Sequence, residues 1–309
     1  MITPQPEVLD VDVARARRRV MDFVELGKPR VVVMVLITTA VGFYLGSRGG
    51  IDYLHLLPTL IGTALAASGT LALNQYWERD IDAKMRRTRT RPLPDGRLQP
   101  ADALCFGLAM AAAGIIYLAL AVNLLSSVVT AATAITYLGL YTPLKRKTPL
   151  CSVVGAVPGA LPPVTGWVAA HNGFGIEAWI LFAILFLWQL PHSLAIARLY
   201  RDDYASAGIR LLPVVEPDAK STGRQIVTNC LALLAVGLMP TLVGLTGAAY
   251  FIAALVLGAV FLGYGIAFAV SRTVPAARQL LFASLLYLPV LLIVMALDKV
   301  SVPYAALLP

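Results

Sequence analysis

Three oxygen-bearing side chains, Asn74, Glu78 and Asp82, follow one another at intervals of four residues. Four residues turn an α-helix by about 400°, so these side chains form one stripe about 80° wide and about 12 Å long. Asp80 falls on the opposite side of the same helix. Mg²⁺ prefers oxygen ligands and shares them with substrate phosphates. The spacing therefore predicts a magnesium site on one face of a helix.

A cluster of arginines follows this stripe directly, before Pro92, and consists of Arg86, Arg87, Arg89 and Arg91. Guanidinium groups bind phosphate oxygens through paired hydrogen bonds. Arginines at a membrane boundary also mark topology and contact lipid headgroups, and acids at a helix end are commonly solvated. Because the stripe begins inside an apolar segment, the combination favours a site for a diphosphate and its metal ion.

A second polar segment begins with His192, which follows a proline inside an apolar run. An ionisable side chain at membrane depth is a candidate for function, and a histidine that only bonds a neighbouring helix is the alternative. Asp202 and Asp203 follow. His192 and Asp203 are eleven residues apart, about three helical turns, which predicts that they share a helix face. His55 and His171 stand at the ends of apolar runs and are predicted to be surface residues.

Two shorter basic segments also lie at the ends of apolar runs. Tyr141 and Lys145 are four residues apart, and Lys28 and Arg30 flank a proline. Either pair is a topology signal or part of a cavity lining at the same membrane face. The cysteines have no paired spacing, which argues against zinc, disulfide or redox chemistry; they are Cys105, Cys151 and Cys230.

The composition places all of these residues in a membrane protein. The chain has 309 residues, of which 58% are hydrophobic and 14% charged, and its mean hydropathy is +0.76. A soluble domain carries roughly 25% charged residues. The composition therefore excludes soluble, disordered, coiled-coil and disulfide-scaffold classes. The long apolar runs also exclude a transmembrane barrel, so we predict an all-α polytopic membrane protein.

Nine apolar runs are long enough to cross a bilayer, which takes about 20 residues. They are roughly Val31–Gly46, Leu54–Trp77, Ala103–Ala121, Leu125–Tyr141, Leu150–Ala170, Ala178–Ala197, Ile226–Leu245, Ala248–Val270 and Leu280–Leu297. The first run is short and is expected to extend back through Leu26. Long charged loops follow spans two and six, and shorter basic loops follow spans four and eight. We interpret this pattern as two four-helix halves plus a ninth helix.

The charges are sorted by this topology. Of the 25 Lys and Arg residues, all but Arg48 and Lys299 fall in the N-terminal segment or in alternate loops. By the positive-inside rule that side is cytoplasmic, which places the N-terminus inside and the C-terminus outside. The net charge of +8 therefore reports topology, and no nucleic-acid partner is expected.

The chain reads as one membrane domain with two short tails. Residues 1–24 are expected to form a solvated cytoplasmic tail, residues 25–300 the domain, and residues 301–309 an outer tail. The N-terminal segment does not fit a cleavable signal peptide, because its arginines are followed by Asp22 and Glu25 before any apolar run.

These features together resemble the UbiA-type intramembrane prenyltransferase superfamily and, within it, the haem O synthases, or protohaem IX farnesyltransferases. The resemblance rests on Lys28-Pro29-Arg30, Asn74-Gln75 through Asp80-Ile81-Asp82, Arg86–Arg89 to Arg91–Pro94, Tyr141–Arg146, Pro191-His192, and Asp203-Tyr204 through Leu212–Val215. It implies transfer of a farnesyl group from farnesyl diphosphate to a vinyl group of haem b, with addition of water, giving haem O and diphosphate. It also implies a multi-pass protein of a bacterial inner membrane, with a cytoplasmic active site and a downstream haem A synthase as a partner.

The resemblance implies a role for each polar residue. The Mg²⁺ ligands would be Asn74, Glu78, Asp82 and Asp203. The diphosphate would contact Arg30, Arg86, Arg87, Arg91 and Lys145, and His192 would contact haem as axial ligand or polar partner. One feature departs from the superfamily, in which many members carry a second Asp-x-x-x-Asp motif. Leu199 stands four residues before Asp203, so only the acids at 202 and 203 can supply a carboxylate there.

Two other functions fit parts of the pattern. One is an intramembrane prenyltransferase that acts on a quinone precursor or a chlorin. The other is a polytopic transporter with an intramembrane histidine. The transporter is disfavoured because the charges gather at one membrane face instead of lining a path across it. The outer boundaries carry only Arg48, Asp52, Glu177, Asp298 and Lys299.

Overall fold

The computed structural model describes residues 17–216 and 218–300, and the all-α prediction is confirmed. Within these ranges nine helices are long and apolar enough to cross a membrane. They are α2 (Pro29–Gly46), α3 (Tyr53–Asp82), α4 (Pro100–Ala121), α5 (Leu124–Leu144), α6 (Cys151–His171), α7 (Ile176–Leu199), α10 (Lys220–Leu242), α11 (Ala248–Ser271) and α12 (Val274–Leu297). The shorter helices are α1 (residues 17–26), α8 (Arg201–Ser206) and α9 (Leu212–Val215). We call the end of the bundle where α3 finishes at Asp82 the basic end.

The expected extension of the first span back through Leu26 is wrong. Helix α1 ends before Lys28, whose backbone is left-handed with a φ of 52°. Pro29 then starts α2, and proline suits the first position of a helix because its missing N–H has no partner there. A left-handed lysine costs roughly 1–2 kcal/mol, so other contacts must stabilise this bend. One of them is a hydrogen bond from Lys28 Nζ to Asn74 Oδ1 on α3, at 3.2 Å.

The second half of α1 is packed against the bundle. In α1 the Phe23 ring packs 5.1 Å from the ring of Phe106, and Leu26 is fully buried. Asp22 is buried and forms an ion pair with Arg97. Residues 22, 23 and 26 of α1 therefore contact the rest of the bundle. Residues 1–16 and 301–309, which carry the remainder of the predicted tails, lie outside the described residues.

Close packing by small residues holds α2 against α6. A Cβ atom at Gly42 would lie 2.0 Å from the carbonyl oxygen of Pro163, and one at Gly166 would lie 1.9 Å from that of Thr39. Only glycine permits such an approach between two membrane helices. This contact fixes one wall of the space enclosed by α2, α3, α5, α6 and α7.

Two irregular stretches face that space. Helix α5 widens into a π-helical turn at Thr136–Tyr141, and α6 is interrupted at Leu161, where Pro162 starts its second half. Such interruptions are tolerated in membrane helices where neighbouring groups or a cavity satisfy the backbone. The π-helical turn and the residue after it bring the hydroxyls of Tyr137 and Thr142 within hydrogen-bond distance of Asn74 on α3.

Candidate active site

The predicted stripe lies at the basic end of α3. Asn74, Glu78 and Asp82 are all buried and line one cavity of about 170 Å³. Asp80 points away from it, with 86% of its side chain exposed beside Arg79. The period of four residues therefore placed the stripe correctly, because α3 continues without a break to Asp82.

Each member of the stripe is paired with a cation from another part of the chain. Lys28 Nζ donates to Asn74 Oδ1 at 3.2 Å. Lys145 Nζ donates to both oxygens of Glu78, at 2.8 and 3.1 Å. Arg91 Nη1 donates to Asp82 Oδ2 at 2.6 Å. Side chains that can ligate a metal ion and side chains that can bind a phosphate thus line the same cavity.

The electrostatics follow from this crowding of cations. Burial, together with Arg91 and Lys145, lowers the pKa of Lys28 to about 7. Burial acts in the same direction on Lys145, but Tyr141 and Glu78 outweigh it and raise the pKa of that ammonium above its ordinary value. An anion in the cavity would relieve the repulsion among the cations.

A second polar contact fixes the orientation of the Asn74 amide. Asn74 Nδ2 donates to Thr142 Oγ1 at 3.1 Å, and Thr142 Oγ1 donates to the carbonyl oxygen of Tyr137 at 2.9 Å. The amide oxygen of Asn74 is therefore turned toward Lys28 and the cavity. Sequence reasoning missed Thr142, since its position depends on the π-helical turn in α5.

A second, larger cavity adjoins the first. Its volume is about 410 Å³, and it shares Arg87, Tyr137, Tyr141, Tyr204 and Leu211 with the polar cavity. The remainder of its lining is mainly apolar and small and comes from α2, α3, α5, α6 and α7. Helix α3 lines both cavities, and Thr63 lies about 16 Å along the axis from Asn74. The site is thus a polar chamber that adjoins a larger, mainly apolar one.

Arg87 lies between the two chambers. Its Nη2 donates to the hydroxyl of Tyr204 at 3.2 Å, and its guanidinium carbon is 5.2 Å from the centre of the Tyr200 ring. Aromatic faces attract cations in this arrangement. These contacts hold the guanidinium where it faces both the polar and the apolar space.

The segment after α7 covers the polar chamber. Ile209 and Leu211 line it, and the backbone N–H of Arg210 donates to the carbonyl oxygen of Lys145 at 2.7 Å. Ser206 Oγ also lies 3.3 Å from the carbonyl oxygen of Lys84. The two charged loops predicted at this end of the bundle are therefore in direct contact.

Several predicted site residues lie elsewhere. Asp203, Arg30 and Arg86 line neither of these two cavities, and both arginines are exposed. The expectation that His192 and Asp203 share a helix face is wrong, because α7 ends at Leu199 and Tyr200 leaves the helical conformation. A break of this kind depends on tertiary contacts and not on helical periodicity.

His192 also lines neither cavity and faces α12. Its Nδ1 lies 2.8 Å from Ser284 Oγ, and its ring stacks on Trp188 with centroids 4.8 Å apart. Other residues of α7, namely Gln189, Ser193 and Ile196, line the apolar chamber. His192 therefore lies on the helix that forms a wall of the site, on a different side of that helix.

The sequence matches a family model and several curated relatives. The model described as UbiA prenyltransferase family matches residues 35–296. A protoheme IX farnesyltransferase from Solibacter usitatus (strain Ellin6076) is 50% identical over 287 residues, covering 90% of this chain and 98% of the relative. A protoheme IX farnesyltransferase from Koribacter versatilis (strain Ellin345) is 44% identical over 288 residues, covering 90% and 93%.

Solved structures with similar folds have much lower sequence identity. One, from work on digeranylgeranylglyceryl phosphate synthase in membranes, has a TM-score of 0.78 at 16% identity and covers 91% of this chain and 98% of its own. A UbiA homolog from Archaeoglobus fulgidus bound to GPP and Mg²⁺ has a TM-score of 0.59 at 18% identity, covering 89% and 99%. At these identities the likeness concerns the fold alone.

Proposed function

Because the chain belongs to the UbiA prenyltransferase family, we propose that it transfers a farnesyl group from farnesyl diphosphate to a vinyl group of haem b, with addition of water, to give haem O and diphosphate. The observation that carries this proposal is the joined pair of chambers. One is lined by carboxylates and cations, which suits a diphosphate with its metal ion, and the other is lined mainly by small apolar residues, which suits an isoprenoid chain. The curated relatives named protoheme IX farnesyltransferase support haem as the acceptor.

The polar chamber fits a magnesium ion bound together with a diphosphate. Asn74, Glu78 and Asp82 offer buried oxygen atoms, which are the donors that Mg²⁺ prefers, and Mg²⁺ usually completes its shell with water and substrate phosphate. The ion would supply Lewis-acid stabilisation of the leaving diphosphate. The Mg²⁺ and GPP in the Archaeoglobus fulgidus structure support this cofactor. Asp203 lies outside the cavity lining, so we assign the metal to the three α3 residues.

The cations that line the polar chamber, three of which pair with the stripe, would hold the diphosphate. Lys28, Arg87, Arg91 and Lys145 all line the polar chamber against only two carboxylates, Glu78 and Asp82. The chamber thus carries surplus positive charge. Preorganised charge of this kind stabilises the negative charge that develops on a leaving group.

We place the reacting bond where the two chambers meet. The farnesyl chain would lie in the apolar chamber with its first carbon near Arg87, where the chambers meet. As the bond to diphosphate breaks, the haem vinyl group would form the new carbon–carbon bond. The positive charge would then reside on the haem side chain, where water adds and loses a proton. Exclusion of water until the new bond has formed prevents release of farnesol.

The orientation of the protein follows from its charges. We place the basic end in the cytoplasm of a bacterium with the bundle in its inner membrane, since the basic loops gather at that end. The downstream partner would be a haem A synthase that consumes haem O. A tag at the N-terminus should react with an impermeant label only after the membrane is opened. Labelling in intact spheroplasts would reverse this assignment.

Pigment analysis tests the acceptor. Cells that express the chain should contain a pigment retained longer than haem b on reversed-phase chromatography, because the farnesyl group adds apolar surface. A prenylated quinone precursor or chlorin in its place would identify a different acceptor. If no prenylated product is found and the protein instead moves a solute across the membrane, the transporter alternative is favoured.

Replacement of Thr142 by Val should weaken the metal site without emptying it. Valine keeps the shape of threonine but cannot accept the hydrogen bond from Asn74 Nδ2, so the amide oxygen loses its fixed direction. Loss of a partner of this kind typically costs 10–100-fold in metal affinity, and we expect the Mg²⁺ concentration for half-maximal activity to rise about tenfold. Thr142→Ser keeps the hydroxyl and should show the wild-type Mg²⁺ dependence. An unchanged Mg²⁺ dependence in Thr142→Val would refute the positioning role.

Replacement of Thr63 by Phe should shorten the chain that the enzyme accepts. Thr63 lines the apolar chamber about 16 Å from Asn74, and a phenyl ring there would fill its far end. We expect the ratio of kcat/KM for farnesyl over geranyl diphosphate to fall about tenfold, a change typical of altered pocket size. The control is Ile61→Phe, since Ile61 is exposed on the outer side of α3. If Thr63→Phe and Ile61→Phe show the same ratio of kcat/KM for farnesyl over geranyl diphosphate, the isoprenoid chain does not lie in this chamber.

A further inference from the structure

Two polar side chains of α7, Gln189 and Ser193, line the mainly apolar chamber. They are four residues apart, so they are neighbours on one face of the helix, with Cβ atoms about 5–6 Å apart. Ser193 Oγ donates its hydrogen to the carbonyl oxygen of Leu190 at 3.1 Å, which leaves lone pairs on Oγ. The amide oxygen of Gln189 is an acceptor as well. The chamber wall therefore carries two hydrogen-bond acceptors one helical turn apart.

A glycine on the facing helix makes room for the Gln189 amide. A Cβ atom at Gly159 of α6 would overlap both polar atoms of that amide, so the missing side chain leaves the space that the amide occupies. Gly159 also lines the chamber, which places the amide at the chamber wall. Residues of two helices thus set the position of this polar group.

These side chains lie close to the place where the chambers meet. Helices α6 and α7 are consecutive and antiparallel, and Gly159 faces Gln189, so Ser193 is about level with Gly155. A Cβ atom at Gly155 would lie 2.6 Å from the ring of Tyr141, which lines both chambers. Gln189 is then one turn, about 6 Å, further into the apolar chamber.

Other hydroxyls on the chamber wall lie further from this place. Thr63 and Thr130 have buried Oγ1 atoms without partners, and both residues line the chamber. Thr63 is about 16 Å from Asn74 along α3, and Thr130 is seven residues, about 10 Å, from Tyr137 along α5. The pair on α7 is therefore better placed to act on the reacting groups.

We propose that Gln189 and Ser193 are positioning residues that hold the water molecule which adds to the haem side chain. The inference rests on the proposed function, because it takes haem b and farnesyl diphosphate as substrates. The water would donate one hydrogen to Gln189 Oε1 and the other to Ser193 Oγ, and its lone pairs would face the chamber. A water held in this way is fixed to the α7 wall and is not free to approach the farnesyl carbon.

The held water determines how the haem cation is neutralised. The C1–O bond of farnesyl diphosphate breaks with its electron pair on diphosphate, and the terminal vinyl carbon bonds C1, which leaves the positive charge on the inner vinyl carbon. A lone pair of the water forms the new C–O bond, and the proton that this oxygen loses passes to the released diphosphate. Without a held water, the cation loses a proton from the adjacent carbon to the same base and becomes an alkene.

The products formed by Gln189→Met test this proposal, because methionine has a similar length but does not replace the amide oxygen. Purified full-length protein is given farnesyl diphosphate, haem b and Mg²⁺, and the haem products are separated by mass. Wild-type protein should form the hydroxylated product, and the variant should also form a farnesylated haem lighter by one water. We expect the ratio of dehydrated to hydroxylated haem to rise about tenfold, a change typical of one lost hydrogen bond. Ser193→Ala should shift the ratio in the same direction.

Gln225→Met is the matched control, since it makes the same change on α10 at a residue that lines neither cavity, and it should give the wild-type ratio. A slower reaction with an unchanged ratio in the α7 variants would indicate a structural role and overturn the proposal. A shift in Thr130→Val but not in Gln189→Met would also overturn it. If Gln189→Met forms no haem product, the ratio in Ser193→Ala decides. Wild-type protein that forms no farnesylated haem would refute the proposed function itself, so the two failures are distinguishable.

Discussion

Asp82→Asn is expected to lower the rate of diphosphate release from farnesyl diphosphate by about a thousandfold. The substitution keeps the shape of the side chain but removes a buried negative charge that faces the polar chamber. Removing one preorganised electrostatic group from an active site typically costs 10²–10³ in kcat. Single-turnover measurement of diphosphate release, with saturating Mg²⁺ and haem b, gives this rate directly.

Asp80→Asn is the matched control for this substitution. It makes the same chemical change two residues away, on the exposed side of α3. We expect it to behave as wild type. The Arg91–Asp82 pair also contributes to folding, so the thermal stability of both variants should be measured. A folded Asp82→Asn protein that retains more than about a tenth of wild-type activity would refute the metal assignment.

Arg91→Met should lower kcat/KM for farnesyl diphosphate by about a hundredfold. Arg91 pairs with Asp82 and lines the polar chamber, so its loss removes a donor to the diphosphate and leaves the carboxylate of Asp82 without its partner. Charged donors aimed at a leaving group typically contribute 10²–10³ in rate. Steady-state kinetics with varied farnesyl diphosphate measure the change.

Arg89→Met separates this effect from the general charge of the arginine cluster. Arg89 is exposed and lines neither cavity, although it lies two residues from Arg91. A topology signal would tolerate either substitution equally, because only the sum of positive charge matters to it. Equal activity of Arg91→Met and Arg89→Met would therefore show that these arginines act only as topology signals.

The pairing of cations with metal-type ligands indicates how substrate binding proceeds. Lys145 bonds Glu78 and Arg91 bonds Asp82, so neither carboxylate is an unpaired buried charge. An unpaired buried charge costs several kcal/mol, and these pairs avoid that cost. When Mg²⁺ and diphosphate bind together, the carboxylates would turn to the metal and the cations to the phosphates. Every charge would keep a partner of opposite sign.

Sequence reasoning was most reliable where local periodicity decides the structure. The nine spans found in residues 17–216 and 218–300 follow from the length of the apolar runs, and the stripe of Asn74, Glu78 and Asp82 follows from the pitch of an unbroken helix. The proximity of Lys145 to Glu78 could be expected only in part, from their common position at one membrane face. Hydropathy and helical pitch are properties of short segments, so they can be read from the sequence without knowledge of tertiary contacts.

The predictions failed where contacts between distant segments set the conformation. The left-handed backbone of Lys28 and the break at Tyr200 have no periodic signal, and both alter which residues meet. The orientation of α7 about its own axis is a further example. A helix that is apolar around most of its surface does not specify which face meets its neighbours. The contact of His192 with Ser284 therefore could not be predicted from the sequence and is seen only in the packed structure.

The most direct test of the account uses purified protein with labelled farnesyl diphosphate, haem b and Mg²⁺. We expect the label to leave farnesyl diphosphate and to appear in a haem that is retained longer than haem b on reversed-phase chromatography. Release of diphosphate should match this product in amount and should require Mg²⁺. Consumption of farnesyl diphosphate without any labelled haem, or no consumption at all, would contradict it.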